Sequence, residues 1–199
     1  MEEVPLAEFS NKLSEDVHYL QHHAVIRRDR QTTKVLIVFD GCAKSPNSAY
    51  SLNDCLQAGP NYIPQLFDVL LRIRWNLIAL TADIEKVFLM VAMNEASKDA
   101  LRFLWFKDPK EHIPEVIQLR FCRLVSGLRL SPAILGTTFR HHLDLYENAN
   151  PKLTETMHLL RECLYVDDFL SGARNVKKAI EICQNPKTSM KQGGFNLRK

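Results

Sequence analysis

Residues 163–171, CLYVDDFLS, place two adjacent aspartates, Asp167 and Asp168, between two apolar runs. Short apolar runs on either side of a polar pair are typical of a tight β-hairpin with the pair at its turn. Adjacent carboxylates repel each other, and a divalent cation relieves that repulsion. Asp-Asp is also a common turn former whose side chains face water. The segment predicts a hairpin and leaves both interpretations of the aspartates open.

A third carboxylate, Asp83, follows the apolar run 77–82, which predicts a buried strand. Asp83 could also be the N-cap of a helix over residues 84–88. If the strand and the hairpin share a sheet, three carboxylates meet at one end of it. Carboxylate and phosphate oxygens are the ligands that Mg²⁺ prefers, so these residues suggest a two-metal site.

Two other segments show the periodicity of amphipathic helices. Residues 61–74 have apolar side chains at i, i+3, i+4, i+7 and i+8, namely Ile63, Leu66, Phe67, Leu70 and Leu71. In the second segment Ser131-Pro132 predicts an N-cap followed by the first helical position. One face of that helix is predicted to carry Leu135, Phe139, Leu143 and Tyr146. Both apolar faces are expected to pack on a core.

The remaining patterns complete an α+β plan. Strands are predicted over 34–39, 102–106, 117–124 and 195–197, the second and third as an antiparallel pair, and a helix is predicted from Val176 to Cys183. The order helix, strand, hairpin, helix, hairpin, helix, strand predicts an antiparallel sheet with packed helices, close to a split βαβ arrangement.

Composition limits the class of protein. The 199 residues are 46% hydrophobic and 25% charged with a net charge of +3, values typical of a globular chain and not of a disordered or fibrous one. The five cysteines are odd in number and have no zinc-ligand spacing, so they are expected to be reduced and mostly buried. An acidic N-terminus and the absence of an eighteen-residue apolar run predict an intracellular protein with no membrane partner.

The chain resembles the reverse transcriptases of the BEL/Pao class of long-terminal-repeat retrotransposons from about residue 22 to residue 199. The blocks that carry the resemblance are HHAVI (22–26), VFDGCAK (38–44), SLNDCL (51–56), Gly59-Pro60, TADIEKVF (81–88), RFLW (102–105), Ser131-Pro132, YVDD (165–168) and GGFNLRK (193–199). A lone Tyr-x-Asp-Asp is a weak motif, whereas this set in the family's order is specific.

The resemblance implies the fingers and palm of a right-hand polymerase with a ferredoxin-like palm core. The implied division is an N-terminal lead-in over 1–30, fingers over 31–62 and 92–130, and palm over 63–91 and 131–199, with thumb and ribonuclease H regions absent. The chain is then either a fragment of a Pol polyprotein, whose thumb, ribonuclease H and integrase regions would be its partners, or a decayed or repurposed gene product. The compartment implied is the cytoplasm or the element's particle, with the nucleus as a possibility.

The implied activity is RNA-directed DNA polymerisation, in which a nucleotide is transferred from a deoxynucleoside triphosphate to a primer on an RNA or DNA template. Asp83, Asp167 and Asp168 would be catalytic and hold two Mg²⁺ ions, with Mn²⁺ as a possible substitute. The implied nucleotide-binding residues are Ile84, Phe88, Ser126 and Lys34, and the implied primer and template contacts are Tyr165, Val166, Arg120 and Arg123. Phe88 would exclude a ribose 2′-hydroxyl, with plain core packing as the alternative.

Three positions depart from the family's pattern around the implied nucleotide pocket. Leu36 stands where the family usually has the arginine that grips the triphosphate, Ser126 replaces a large residue and Val87 replaces alanine. Loss of the arginine removes a charge-assisted phosphate contact worth about 1.5–3 kcal/mol. The alternative function is therefore an inactive or domesticated remnant that binds nucleic acid.

Overall fold

The computed structural model describes residues 1–4, 18–28, 35–44 and 49–198. In chain order the elements of the described residues are β1 (Glu2–Glu3), β2 (Gln21–Ile26), β3 (Val35–Asp40), α1 (Leu52–Cys55), α2 (Leu66–Arg74), β4 (Ile78–Ile84), α3 (Glu95–Lys98), β5 (Arg102–Phe106), β6 (Val116–Arg120), α4 (Ser131–Ala149), α5 (Thr154–Cys163), β7 (Leu164–Tyr165), β8 (Asp168–Ala173), α6 (Val176–Gln192) and β9 (Leu197–Arg198). Short 3-10 turns cover Val87–Met90, Asp99–Leu101 and Pro151–Leu153.

The chain forms two compact units, each made of two separate stretches of sequence. The first unit comprises residues 1–58 and 91–131, and the second comprises residues 59–90 and 132–199. The described parts of the predicted lead-in, 1–4 and 18–28, contribute β1 and β2 to the first unit. The assignment of the two units as fingers and palm stays a prediction.

The first unit contains two antiparallel sheets. One has the strand order β1-β6-β5, and the other pairs β2 with β3. Its core is apolar and aromatic and consists of Leu20, Leu52, Leu101, Phe103, Phe121, Val125 and Leu128. The rings of Phe39 and Phe121 meet edge to face, with centroids 4.7 Å apart, an arrangement that aromatic pairs prefer.

An ion-pair network fastens β1 to the rest of the first unit. Arg120 donates to Glu2 at 2.6 Å and to Asp99 at 2.9 Å. Hydrogen bonds from the Cys122 thiol and from Arg120 lower the pKa of the Glu2 carboxyl to about 2. Glu2 therefore stays ionised at any pH near neutrality and holds β1 on β6.

The second unit contains a four-stranded antiparallel sheet in the order β7-β8-β4-β9. Strand β4 is interior, with β8 on one side and β9 on the other. Helices α2 and α6 both contact β8, and α6 also packs on α5. The buried side chains include Val69, Leu135, Leu143, Met157, Leu160, Phe169, Met190 and Phe195. The mixed helical and antiparallel-sheet class predicted from the sequence is confirmed.

Several predicted boundaries were wrong. Helix α2 begins at Leu66 and not at Asn61, because Pro64 restricts the residue before it to extended backbone. Strand β6 ends at Arg120 and not at Leu124, because the backbone beyond it bonds elsewhere: Met93 donates to Cys122 and Leu124 donates to Val91.

Other local features differ from the sequence-based expectations. Helix α5 was not predicted at all, although its buried residues Thr156, Met157, Leu160 and Cys163 follow helical spacing. Ser131 is the first residue of α4, and its hydroxyl donates to the Val125 carbonyl at 2.6 Å. The thiols are not mostly buried, because only Cys163 is buried and Cys42, Cys55 and Cys183 are exposed. None of the helices in the described ranges is long and apolar enough to cross a membrane.

Candidate active site

The predicted hairpin is formed by β7 and β8 around a two-residue loop. Leu164 pairs with Phe169 and Tyr165 pairs with Asp168, which leaves Val166 and Asp167 as the loop. Val166 has a φ of 59°, in the left-handed region that β-branched residues rarely adopt. A positive φ at the first loop residue is what a type II′ hairpin turn requires, and glycine is usual there. The loop therefore stores backbone strain of order 1–3 kcal/mol.

The carboxylates of Asp83 and Asp168 share one face of the sheet. Asp83 of β4 lies directly opposite Asp168 of β8. Directly opposite residues of antiparallel strands point to the same face, with Cβ atoms roughly 4.5–5.5 Å apart. Tyr165 is opposite Asp168 and Arg198 is opposite Asp83, so the face carries the row Tyr165, Asp168, Asp83, Arg198 in strand order.

Asp167 is joined to this row through the backbone. Its carbonyl accepts a hydrogen bond from the Ile84 amide at 2.8 Å, which ties the hairpin loop to the end of β4. Its side chain is exposed, as is that of Asp168, and Asp83 is half-buried. Asp83 lies within β4 and the next helical turn starts only at Val87, which excludes the helix N-cap alternative.

Arg198 provides positive charge beside Asp83. Its guanidinium lies 3.4 Å from the Asp83 carboxylate and 3.2 Å from that of Glu85. Asn196 donates to the other Glu85 oxygen at 3.0 Å, and the Glu85 amide donates to the Asn196 carbonyl at 3.0 Å. The end of β4 and strand β9 are therefore joined by side-chain as well as backbone contacts.

The donor set suits a magnesium ion that shares its coordination with a substrate. Within residues 1–4, 18–28, 35–44 and 49–198, no three or more His, Cys, Asp or Glu side chains form a cage that could hold a metal ion. Mg²⁺ does not need such a cage, since it is usually bound through one or two carboxylates together with phosphate oxygens and water. Two carboxylates on one face, with a third at the adjoining turn, fit that requirement.

The predicted nucleotide-binding residues fall in both units. In the second unit the Ile84 side chain is buried and its amide is used by the Asp167 carbonyl, and Phe88 is half-buried in the 3-10 turn after β4. In the first unit Ser126 is exposed and precedes Gly127, whose φ is 93°. Lys34 lies outside the described residues, and its role stays a prediction.

The predicted primer and template contacts differ in how available they are. Tyr165 and Val166 are half-buried beside the carboxylates, and Arg123 is exposed. The Arg120 side chain is only 11% exposed and is engaged by Glu2 and Asp99, which hold β1, and its contact with phosphate stays a prediction. The resemblance implied the phosphate role, but it does not reveal a carboxylate 118 positions away.

Sequence reasoning missed Arg198 and Glu85 as members of the site. Both lie in blocks that were recognised, TADIEKVF and GGFNLRK, but they were given no role. The available signal was the strand predicted over 195–197, which in the structure covers Leu197–Arg198 and pairs antiparallel with the Asp83 strand, so that Arg198 lies opposite Asp83. The register that selects Arg198 is not visible in the sequence.

Comparison with known proteins identifies a solved structure with a similar fold. The chain is similar to the crystal structure of the prototype foamy virus protease-reverse transcriptase, a CSH mutant, with a TM-score of 0.63 and 17% sequence identity. The similarity covers 90% of this chain but only 20% of the viral one, so the chain spans about a fifth of that protein's length. No protein-family model matches the chain, and no curated protein sequence matches it. The fold therefore resembles that of a reverse transcriptase.

Proposed function

We propose that the chain is the polymerase core of a reverse transcriptase, which extends a primer on an RNA or DNA template with deoxynucleotides. The observation that supports this most is the pairing of Asp83 with Asp168 on one face of the sheet, with Asp167 in the adjoining strained turn, on a fold similar to a reverse transcriptase. Strained backbone at a turn beside paired carboxylates is typical of functional sites.

Asp83, Asp167 and Asp168 would hold the two divalent cations, Mg²⁺ with Mn²⁺ as a substitute. When bound, such ions activate the primer 3′-hydroxyl and neutralise the charge of the triphosphate and of the departing pyrophosphate. The 3′-hydroxyl releases its proton to water, its oxygen forms a bond to the α-phosphorus, and the bond from that phosphorus to the oxygen that bridges it to the β-phosphorus breaks, so that pyrophosphate leaves.

The other residues of the site position the substrates. Tyr165 and Val166, next to the carboxylates on β7 and its loop, would support the primer terminus. Phe88, half-buried in the turn after β4, would exclude a ribose 2′-hydroxyl. For Arg123 and Ser126, which are exposed residues of the first unit, contacts with template and nucleotide are implied by the sequence resemblance alone.

Primer extension by the whole chain tests this proposal. Asp83→Asn and Asp167→Asn each remove a carboxylate charge with little change in shape, and we expect each to lower the incorporation of deoxynucleotides by about a hundredfold or more, since electrostatic terms of this kind are worth roughly 3 kcal/mol or more. Asp144→Asn is the matched control, because Asp144 is an exposed carboxylate on α4 that pairs with Arg161. Incorporation that survives both site variants would contradict the metal assignment.

A second candidate is a non-catalytic, nucleic-acid-binding remnant. It is favoured by Leu36, an apolar and exposed residue of β3 at the position where the resembled family has its triphosphate-binding arginine. In the same experiment this candidate predicts no incorporation by the wild-type chain and nucleic-acid binding that does not depend on Mg²⁺. Leu36→Arg, which restores the charge, would then not restore activity.

The narrower assignments belong to the same proposal. These are the BEL/Pao class, the fingers and palm identities of the two units, membership of a Pol polyprotein, and an intracellular or particle location. They rest on the sequence blocks and not on the fold, because a similarity at 17% identity does not distinguish classes of reverse transcriptase.

A further inference from the structure

The row of side chains that contains Asp168 and Asp83 ends in a positive charge, the guanidinium of Arg198. Arg198 is opposite Asp83 in the β4–β9 pairing, on the side away from Asp168. Its two terminal nitrogens are divided between two carboxylates, Nη2 with Asp83 and Nη1 with Glu85. The guanidinium thus bridges a residue of the proposed metal site and a residue just outside it.

In the metal-free chain, this bridge reduces the repulsion between the carboxylates of Asp83 and Asp168. Like charges directly opposite each other on neighbouring strands are destabilising, and Asp83 and Asp168 are such a pair. A cation against Asp83 offsets part of that repulsion without any metal. Arg198 is held in the correct place for this by its position in β9 and by its contact with Glu85.

The same contact interferes with metal binding. Arg198 lies against Oδ2 of Asp83, one of the two oxygens that a divalent cation would use. A guanidinium and a divalent cation repel each other, so the metal binds more easily if Arg198 moves off Asp83. Glu85 is the acceptor available for that movement, and Asn196 keeps the Glu85 carboxylate in position.

We propose that Arg198 is a positioning residue that serves as the resident counter-ion of Asp83 and thereby sets the affinity of the site for divalent cations. Glu85 retains the guanidinium when the metal takes its place. This inference rests on the proposed function, because it assumes that Asp83 is a metal ligand.

Binding of Mn²⁺ to the whole chain, followed by the electron paramagnetic resonance signal of the free ion, tests the role of Arg198. We expect Arg198→Gln to bind Mn²⁺ about twofold to fivefold more tightly than wild type, a range set by the modest strength of an exposed ion pair. Lys86→Gln is the control, since it removes an exposed cation three residues after Asp83. Equal gains in the two variants would show a general charge effect and overturn the proposal, as would no gain in Arg198→Gln.

Thermal unfolding of the same proteins supplies a second readout. Arg198 is 50% exposed, so Arg198→Gln keeps the fold, but we expect its unfolding midpoint without metal to be lower than that of wild type. Added Mn²⁺ should then raise the midpoint of the variant more than that of wild type. A metal-free midpoint that is unchanged or higher would contradict the counter-ion role.

A double-mutant cycle tests the role of Glu85. Glu85→Gln removes a negative charge in any background, but in wild type it also leaves Arg198 on Asp83. We therefore expect it to weaken Mn²⁺ binding by a larger factor in wild type than in Arg198→Gln. Equal factors in the two backgrounds would remove Glu85 from the proposal.

Asp83→Asn distinguishes failure of the proposed metal site from failure of the proposed role of Arg198. If Mn²⁺ binding is unaffected by Asp83→Asn, the proposed metal site itself is wrong. If Asp83→Asn abolishes binding while Arg198→Gln leaves it unchanged, the metal site stands and the role of Arg198 is wrong.

Discussion

Helices α2 and α4 show the same sequence periodicity and opposite burial. The four side chains predicted to form the inner face of α4 are between 1% and 7% exposed (Leu135, Phe139, Leu143 and Tyr146). The corresponding residues within α2 are between 44% and 69% exposed (Leu66, Phe67, Leu70 and Leu71). The prediction of a packed face is therefore confirmed for α4 and wrong for α2.

The difference arises because α2 is apolar on more than one face. Its fully buried residue is Val69, with half-buried Ile73 one turn later, and the helix packs against β8. Val69 and Ile73 form their own i, i+4 stripe beside the predicted one. Periodicity finds an apolar stripe, but when two stripes are present it does not say which one meets the sheet.

Among substitutions in the two helices, Leu143→Ala should cause the largest loss of stability. Leu143 is fully enclosed in the second unit, so truncation loses burial and leaves a cavity, and we expect a loss of about 2–5 kcal/mol in the free energy of unfolding. Urea denaturation monitored by circular dichroism measures it. A loss below about 1 kcal/mol would mean that the inner face of α4 is not part of a tight core.

Val69→Ala should have an intermediate effect. The substitution removes two methyl groups from a site with no exposure, which corresponds to a loss of about 1–3 kcal/mol. The same denaturation experiment applies, with Phe67→Ala as the comparison on the exposed stripe of the same helix. If Phe67→Ala costs more than Val69→Ala, the orientation of α2 described above is wrong.

Leu70→Ala should have the smallest effect and is the matched partner of Leu143→Ala. Because Leu70 is exposed, we expect a change within about 0.5 kcal/mol. The measurement is repeated at several protein concentrations. A loss approaching that of Leu143→Ala would show that the exposed stripe, which continues to Trp75 and Leu77, is covered in solution.

Local patterns predicted the parts of the site that depend on neighbouring residues. The apolar run before Asp83 correctly indicated β4, and the two runs around Asp167 and Asp168 correctly indicated the hairpin. These elements follow from alternation and turn chemistry over a few residues.

Pairings between distant segments could not be predicted from the sequence. The opposition of Asp83 and Asp168 depends on a register between strands far apart in the chain, and a shift of one residue would have moved one carboxylate to the other face. The contact of Arg198 with Asp83 and that of Arg120 with Glu2 also depend on pairing between strands far apart in the chain. Strand existence is a local property, whereas register is decided by tertiary packing.

The interior position of β4 has a consequence for synthesis of the chain. Both of its partners, β8 and β9, are encoded downstream, so on the ribosome β4 emerges roughly 85 residues before it can pair, a delay of several seconds or more at about 5–20 residues per second. An unpaired apolar strand is an aggregation hazard during that interval. Asp83 places a charge inside the otherwise uncharged strand IALTADI, and such a charge opposes association of nascent chains before the sheet closes.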